Sequence, residues 1–282
     1  MDIADRQKPA PGELFLDHVS HFLPDLDAAA AALEKLGFRV TARSDQQVEG
    51  KPAGAANRCV MLEQGYIELL APTHDTPAAR RMRARMEKFT GVHLACFGTP
   101  DADAEQVRLA AHGFEPEPLV HLERGLARFK VVRPAPDAMP EGRVQYVQQL
   151  TPQQIWREEN LRHSNGVFAL SAVYVVAADV PAVAARWARF AALLPQPGPA
   201  WVELRAARGS AIIGSKDFLE SCGAFRSPPE PPALAGYALL CRNAAAFAGR
   251  CARQGLAVRK LPRQEIYSVA LPAALGGTWI LI

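Results

Sequence analysis

A repeated strand pattern constrains this chain more than any other feature. The heptapeptide LDHVSHF, which contains His18, resembles GVHLACF, which contains His93. Further along the chain, YIELLAP around Glu68 matches YVQQLTP around Gln148. Repetition of this kind indicates a fold built from copies of one supersecondary unit.

Each copy reads as one strand, one helix and three further strands. In the first copy, Asp25 or Asp27 precedes the helix, and either short carboxylate suits the role of an N-cap. Residues 38–43 are expected to form the next strand, and residues 44–56, which contain three Gly or Pro residues, are expected to form a loop. The order βαβββ therefore describes the unit.

Two weaker copies begin at Phe168 and Gly236. Four βαβββ modules predict an α+β fold with two paired, curved mixed sheets. Helices cover one face of each sheet and leave the other face free to line a cup. We expect this organisation to divide the chain into an N-terminal lead-in over residues 1–13, a first domain over 14–152, a connector over 153–167 and a second domain over 168–282.

Composition limits the classes of function. The chain has 282 residues, of which 49% are apolar and 22% are charged, values typical of a globular protein. A net charge of +3 without a long basic run argues against a nucleic-acid partner. The N-terminus lacks an apolar signal core, and the five cysteines show no C-x-x-C spacing. We therefore expect a cytoplasmic protein with reduced cysteines and no membrane segment.

The repeat also predicts a site. Alternate residues of a strand share a face, so pairing of the first two units is expected to bring four side chains into one cup: His18, Glu68, His93 and Gln148. Two imidazoles and one carboxylate suit a divalent metal with open positions, such as iron, manganese, nickel or zinc. Gln148 is expected to be a weak fourth ligand or to bind a water. For each histidine, a hydrogen-bonded position in the core is the alternative.

Other side chains near these strands are expected to line the substrate pocket. They are Asn57, Tyr66, Tyr146, Phe22 and Phe97. In the second domain, Ala172 and Ala238 stand at the histidine positions, so we expect no metal ligands there.

These segments, together with GAAN at 54–57, TPQQIW at 151–156 and GGTWIL at 276–281, resemble the vicinal oxygen chelate superfamily. That superfamily includes glyoxalases, extradiol dioxygenases and bleomycin-resistance proteins, and the chain is most similar to its bacterial glyoxalase-like members. The resemblance implies a metal bound by His18, Glu68 and His93. Gln148 departs from the pattern, because a glyoxalase carries a proton-shuttling carboxylate there and an amide cannot take up a proton. No residue is therefore assigned a catalytic role.

Two functions follow from the resemblance. The first is a metal-dependent lyase, isomerase or dioxygenase that chelates two oxygens of a small oxygen-rich metabolite. The alternative is a metal-free protein that binds or sequesters a small molecule. Homodimer formation is compatible with both. The separations among the side chains of His18, Glu68 and His93 distinguish the two functions.

Overall fold

The computed structural model describes residues 2–221, 229–262 and 265–282. Its first half contains β1 Phe15–Phe22, α1 Leu26–Lys35, β2 Ser44–Val48, β3 Lys51–Met61, β4 Tyr66–Pro72, α2 Pro77–Met86, β5 Val92–Gly98, α3 Ala102–Ala111, β6 Val120–Arg124, β7 Ala127–Val132 and β8 Arg143–Gln149.

The second half repeats this order. It contains α4 Glu158–Leu161, β9 Val167–Val176, α5 Val180–Ala191, β10 Pro195–Pro197, β11 Trp201–Arg205, β12 Ser210–Gly214, α6 Lys216–Ser221, β13 Ala233–Cys241, α7 Ala244–Arg253, β14 Val258–Lys260, β15 Tyr267–Ala270 and β16 Thr278–Leu281. A helix and three strands follow each of β1, β5, β9 and β13, which confirms the predicted α+β class.

Aspartates fix the starts of the helices that cover the sheet. The Asp25 carboxylate accepts hydrogen bonds from the backbone N–H groups of Asp27 and Ala28 at 2.9 and 3.0 Å. Asp101 caps α3 in the same way, through the N–H of Ala104 at 3.0 Å. These bonds satisfy N–H groups that have no partner within the helix. Of the two candidate caps in the first copy, Asp25 is the one observed.

The second strand differs from its expected position. Residues 38–43 are not a strand, whereas residues 44–48 form β2 and turn at Gly50, which has a φ of 71°, into β3. The sequence of β2 is SDQQV, and its side chains are partly or fully exposed. Such a strand carries no apolar alternation, so its position depends on the strands with which it pairs.

The strands of the first half close into a ring. Their order is β1-β4-β3-β2-β6-β7-β8-β5, and β5 returns to pair with β1. The pairs Gln47↔Glu123 and Val48↔Leu122 join β2 to β6. The expected cup is therefore the interior of a barrel. An apolar cluster, here called the interior cluster, fills much of it and includes Phe22, Leu70, Leu94, Phe129, Val131 and Val147, with Met82 of α2 at one end.

The second half continues the same sheet through β13, where Leu234 pairs with Val92 of β5. The larger apolar core, here called the outer core, lies between the strands and the helices of both halves. A separate buried apolar cluster contains Ala172, Ala238 and Ile280. In the second half, apolar side chains thus occupy the positions at which the strands of the first half carry polar side chains.

The cysteines agree with the expected reduced state in the part of the chain that the structure describes. Cys59, Cys96 and Cys251 are buried, Cys241 is half-buried, and all four are free thiols. Cys222 lies outside the described residues. Within the described ranges, no helix combines the length and the apolar character needed to cross a bilayer. Cytoplasmic location and homodimer formation stay predictions.

Candidate functional site

His18 stands between two carboxylates inside the barrel. Its Nδ1 lies 2.7 Å from Oδ1 of Asp17, and its Nε2 lies 3.9 Å from Oε2 of Glu68. Asp17 also accepts hydrogen bonds from Nε2 of Gln149 at 3.1 and 3.2 Å. The imidazole stacks on Tyr66, with ring centroids 4.3 Å apart. One ring face and the Nδ1 atom are therefore constrained, and Nε2 faces the interior.

A β-bulge makes the contact between the neighbours Asp17 and His18 possible. Successive side chains of a regular strand point to opposite faces. The register of β1 against β5 shifts between Leu16 and His18, so that one extra residue is accommodated. Leu16 consequently belongs to the outer core while His18 lines the interior.

Glu68 is fully hydrogen-bonded within the described part of the chain. Its oxygens accept from Oγ of Ser20 and Nδ2 of Asn57, each at 2.5 Å, and Nη1 of Arg124 lies 3.5 Å away. Burial by itself raises the pKa of Glu68, but the charges of His18 and Arg124 and the two hydrogen bonds outweigh it. The net pKa lies below its usual value. Glu68 is therefore an ionised carboxylate with its charge already compensated.

His93 does not join this group. Its Nδ1 accepts a hydrogen bond from the N–H of Phe22 at 3.2 Å, and its Nε2 donates to the carbonyl oxygen of Phe89 at 3.0 Å. The ring stacks between these two phenylalanines, with centroids 5.1 and 4.6 Å away. Burial lowers the pKa of His93 to about 4. His93 is therefore a hydrogen-bonded histidine of the core, which was the alternative to a metal ligand. Both of its ring nitrogens already have hydrogen-bond partners.

Gln148 also lies apart from His18 and Glu68. Its Oε1 accepts from the N–H of Ala102 at 3.2 Å, and its Nε2 donates to the carbonyl oxygen of Pro100 at 2.7 Å. Gln148 therefore holds the start of α3 on the outside of the barrel. The expected convergence of four side chains in one cup is wrong for His93 and for Gln148.

Strand register explains this correction. Ser20 pairs with Glu68 between β1 and β4, and Cys96 pairs with Gln145 between β5 and β8. Likewise His18 pairs with Tyr66, and Leu94 with Arg143. The counterparts of His18 and Glu68 are therefore Leu94 and Gln145. The sequence alignment was therefore displaced by one residue at His93 and by three residues at Gln148, and a displacement by an odd number of residues exchanges the two faces of a strand.

The remaining pocket candidates divide between the two faces. Tyr66 lines the recess beside His18, and Asn57 reaches Glu68. Phe22 belongs to the interior cluster. Phe97 and Tyr146 lie in the outer core, where the Tyr146 hydroxyl donates to the carbonyl oxygen of Phe190 at 2.6 Å. Those last two side chains do not face the recess.

A metal with three side-chain ligands does not fit this donor set. His18 and Glu68 supply two donors, while apolar Leu94 occupies the position corresponding to His18 in the second copy. Ser20 and Asn57 already use the Glu68 oxygens. Among the described residues, no group of three or more His, Cys, Asp or Glu side chains is arranged to hold a metal ion. The structure thus brings together two of the three predicted ligands.

Three arginines that the sequence analysis missed line the same recess. The recess has a volume of about 30 Å³ and is bordered by Arg124, Arg133 and Arg143 as well as by His18. Arg124 also borders a wider cleft of about 330 Å³ that contains Asn57. Arg124 lies two residues after apolar Leu122, and alternate residues of a strand share a face. An inward-facing Arg124 could therefore have been predicted from the pattern of β6. Arg124 therefore borders both the recess and the wider cleft.

Comparison with known proteins places this chain in a known family. A family profile described as a glyoxalase-like domain matches residues 16–191. No curated protein sequence matches the chain at a significant level.

Several solved structures share the fold. A hypothetical protein from Staphylococcus aureus is 13% identical and superposes with a TM-score of 0.64 over 95% of this chain and 98% of the other. A mutant 4-hydroxymandelate synthase from Streptomyces coelicolor is 13% identical, with a TM-score of 0.62 over 95% and 92% of the two chains. The Mn(II)-bound glyoxalase from Novosphingobium aromaticivorans is 11% identical, with a TM-score of 0.54 over 95% and 81%.

Proposed function

This chain belongs to the glyoxalase-like domain family, and we propose that its barrel binds a small oxygen-rich molecule with which His18 exchanges a proton. Membership confirms the predicted vicinal oxygen chelate superfamily. One observation carries the proposal: Nδ1 of His18 is held by buried Asp17 at 2.7 Å, while Nε2 faces a recess.

The hydrogen bond to Asp17 decides which nitrogen of His18 is basic. Because Nδ1–H donates to the carboxylate, Nε2 is the nitrogen that carries the lone pair whenever the ring is neutral. A ligand atom at hydrogen-bond distance from Nε2 can deliver its proton there. Asp17 then stabilises the resulting imidazolium, as an orienting carboxylate does in hydrolase triads. His18 is thus suited to the role of general base.

Arg124 supplies the complementary charge. Its guanidinium borders the recess and stacks over Phe129 at 4.5 Å from the ring centroid. A proton lost to His18 leaves negative charge on the ligand, and a fixed cation that borders the recess offsets that charge. Burial raises the pKa of the Cys59 thiol to about 12 and that of Cys96 well above its usual value. Proton transfer therefore suits this site better than attack by a thiolate.

The test is hydrogen–deuterium exchange of a panel of small 2-oxo acids, 2-hydroxy ketones and diketones, followed by proton NMR in D₂O with EDTA present. The wild type is expected to exchange the acidic C–H of at least one compound. His18→Gln is expected to lose this exchange, while His121→Gln, which alters an exposed histidine of β6, retains it. Full exchange by His18→Gln, or none by the wild type, overturns the proposal.

A metal-dependent lyase, isomerase or dioxygenase is the second candidate. The observation that favours it is the approach of His18 Nε2 and Glu68 Oε2 to 3.9 Å across the recess. This candidate requires that reconstitution with iron, manganese, nickel or zinc creates activity that EDTA removes. It also requires that Glu68→Gln abolishes metal uptake. The metal-free proposal expects exchange to be unchanged by EDTA.

A further inference from the structure

Four arginines meet at one end of the barrel. Arg81 and Arg85 lie one turn apart on α2, Arg133 directly follows β7, and Arg143 begins β8. Together they line a cavity of about 40 Å³. Glu117 is the one acidic residue among the described residues that line it. This group of four is called the arginine cavity below.

The charges of the arginine cavity are not balanced by the described side chains. Glu117 pairs with Arg81 at 3.3 Å. Arg133 donates to the neutral amide of Gln145 at 3.3 Å. Arg143 lies over the ring of Phe22, 5.1 Å from its centroid, and no described residue gives it a side-chain hydrogen bond or ion pair. Arg85 likewise has no side-chain hydrogen bond or ion pair with a described residue. Four guanidinium groups thus share one carboxylate.

Nearby carboxylates do not complete the balance. Glu141 is buried but is ion-paired with Arg186, and Asp137 is exposed to solvent. Glu68 borders the recess that Arg143 also lines, but its oxygens are already engaged by Ser20, Asn57 and Arg124. Burial, followed by the charges of Arg133, Arg81 and Arg85, lowers the pKa of Arg143 to about 9. Burial also lowers the pKa of Arg133 and of Arg85. Like charges held together in this way favour the binding of an anion, which relieves their repulsion.

We propose that the arginine cavity binds the phosphate group of a small phosphorylated ligand, whose remaining part extends into the recess beside His18. Guanidinium groups present paired N–H donors that match phosphate oxygens. Here they approach from a helix on one side and from strand ends on the other. A tetrahedral group directs its oxygens out of one plane and can meet donors from both sides, whereas a planar carboxylate cannot.

The dimensions agree with a group of a few atoms. A single water needs a cavity of about 10–15 Å³, so about 40 Å³ admits a small oxyanion but not a whole metabolite. Arg133 and Arg143 line both this cavity and the recess of His18. This inference rests on the proposed function, because the phosphorylated ligand is taken to be the molecule that exchanges a proton with His18.

Inorganic phosphate is the probe for this inference. Binding is measured by calorimetry and by thermal shift at constant ionic strength, with EDTA present and with chloride, acetate and sulfate as parallel arms. The wild type is expected to bind phosphate more tightly than acetate. Arg85→Gln and Arg143→Gln are each expected to weaken phosphate binding at least tenfold. Arg83→Gln is the matched control, because Arg83 is exposed on α2 and lies 3.8 Å from Asp75.

Each outcome has a defined meaning. Absence of phosphate binding by the wild type, or equal weakening in Arg83→Gln, overturns the inference. Equal affinity for acetate, chloride or sulfate overturns the assignment to phosphate. The unliganded Tm of Arg85→Gln and Arg143→Gln reports on folding, and it is expected not to fall because each change removes one of the like charges. His18→Gln is expected to bind phosphate normally, so failure of the proton-exchange proposal is distinguished from failure of this one.

Discussion

Oδ1 of Asp17 lies 2.7 Å from Nδ1 of His18, its immediate neighbour in the chain, within the barrel. Both side chains are buried, and the bulge in β1 is what brings them together. A regular strand separates such neighbours on opposite faces. The bulge therefore creates the oriented imidazole on which the proposed chemistry depends.

Replacing Asp17 with Asn is expected to weaken proton exchange while leaving His18 in place. An amide cannot hold the imidazole in the tautomer with basic Nε2, and loss of such an orienting partner lowers activity between about 10-fold, as at metal sites, and about 10⁴-fold, as in a hydrolase triad. The measurement is the rate of deuterium incorporation into the best compound of the panel. Asp45→Asn, at an exposed aspartate paired with Arg43, is the control. A rate unchanged in Asp17→Asn contradicts the role given to this carboxylate.

His93 is expected to stay neutral, with its proton on Nε2, down to about pH 5. Nitrogen-15 NMR of the ring identifies this tautomer, which follows from the bonds to Phe22 and Phe89. Addition of zinc is expected to leave its signals unmoved. A zinc-dependent shift of both His18 and His93 supports the three-ligand metal site instead.

The same histidine predicts a pH dependence of stability. The folded pKa of about 4 lies below the usual histidine pKa of 6.5, so the unfolded chain binds the additional proton between these pH values. The free energy of unfolding therefore falls as the pH drops from 6.5 towards 4. Linkage gives about 2 kcal/mol between pH 7 and pH 5 for this residue. Urea unfolding of His93→Gln is expected to lack this component, whereas His121→Gln keeps the pH dependence of the wild type.

Glu68 and Arg124 are expected to be energetically coupled. Glu68→Gln leaves the buried guanidinium without its carboxylate, which costs about 3 kcal/mol of unfolding free energy. In Glu68→Gln with Arg124→Met, both charges are absent, and the loss is expected to be smaller than the sum of the single losses by at least about 1 kcal/mol. Glu123→Gln provides the surface comparison, because its pair with Arg128 is exposed. Strict additivity of the two buried changes excludes the coupling.

Gln148→Leu is expected to affect stability without affecting the recess. The change removes two hydrogen bonds at the start of α3, one from Ala102 and one to Pro100. A loss of about 1–2 kcal/mol in chemical denaturation is expected. Proton exchange and phosphate binding are expected to match the wild type. Loss of proton exchange without loss of stability indicates instead that Gln148 contributes to the site.

Half of the site could be predicted from local sequence. His18 and Glu68 were found because each is polar within an apolar strand and each was matched to a polar residue in the sequence alignment of the second copy. The alignment of that second copy was displaced by one residue at His93, whose place belongs to Leu94, and by three residues at Gln148, whose place belongs to Gln145. In a strand, one residue is the difference between the two faces. Two assignments that differ by one position look equally regular in sequence, and only the pairing partners distinguish them.

The arginines were missed for another reason. Arg85, Arg133 and Arg143 belong to a helix and to the ends of two strands, and no spacing along the chain connects them. Each by itself resembles a solvated surface charge. Their convergence depends on how α2 packs against the end of the barrel, which is a property of long-range contacts.

The sequence by itself determined the local features of this protein: the strand and helix order, the aspartate caps such as Asp25, and the two polar strands that signal the family. Local hydrogen bonding and the period of the apolar pattern suffice for these. Only the tertiary structure decided that polar β2 closes the barrel against β6, that His93 is held in the core, and that four arginines share one cavity. Those outcomes depend on strand register and on contacts between distant segments, which no local pattern records.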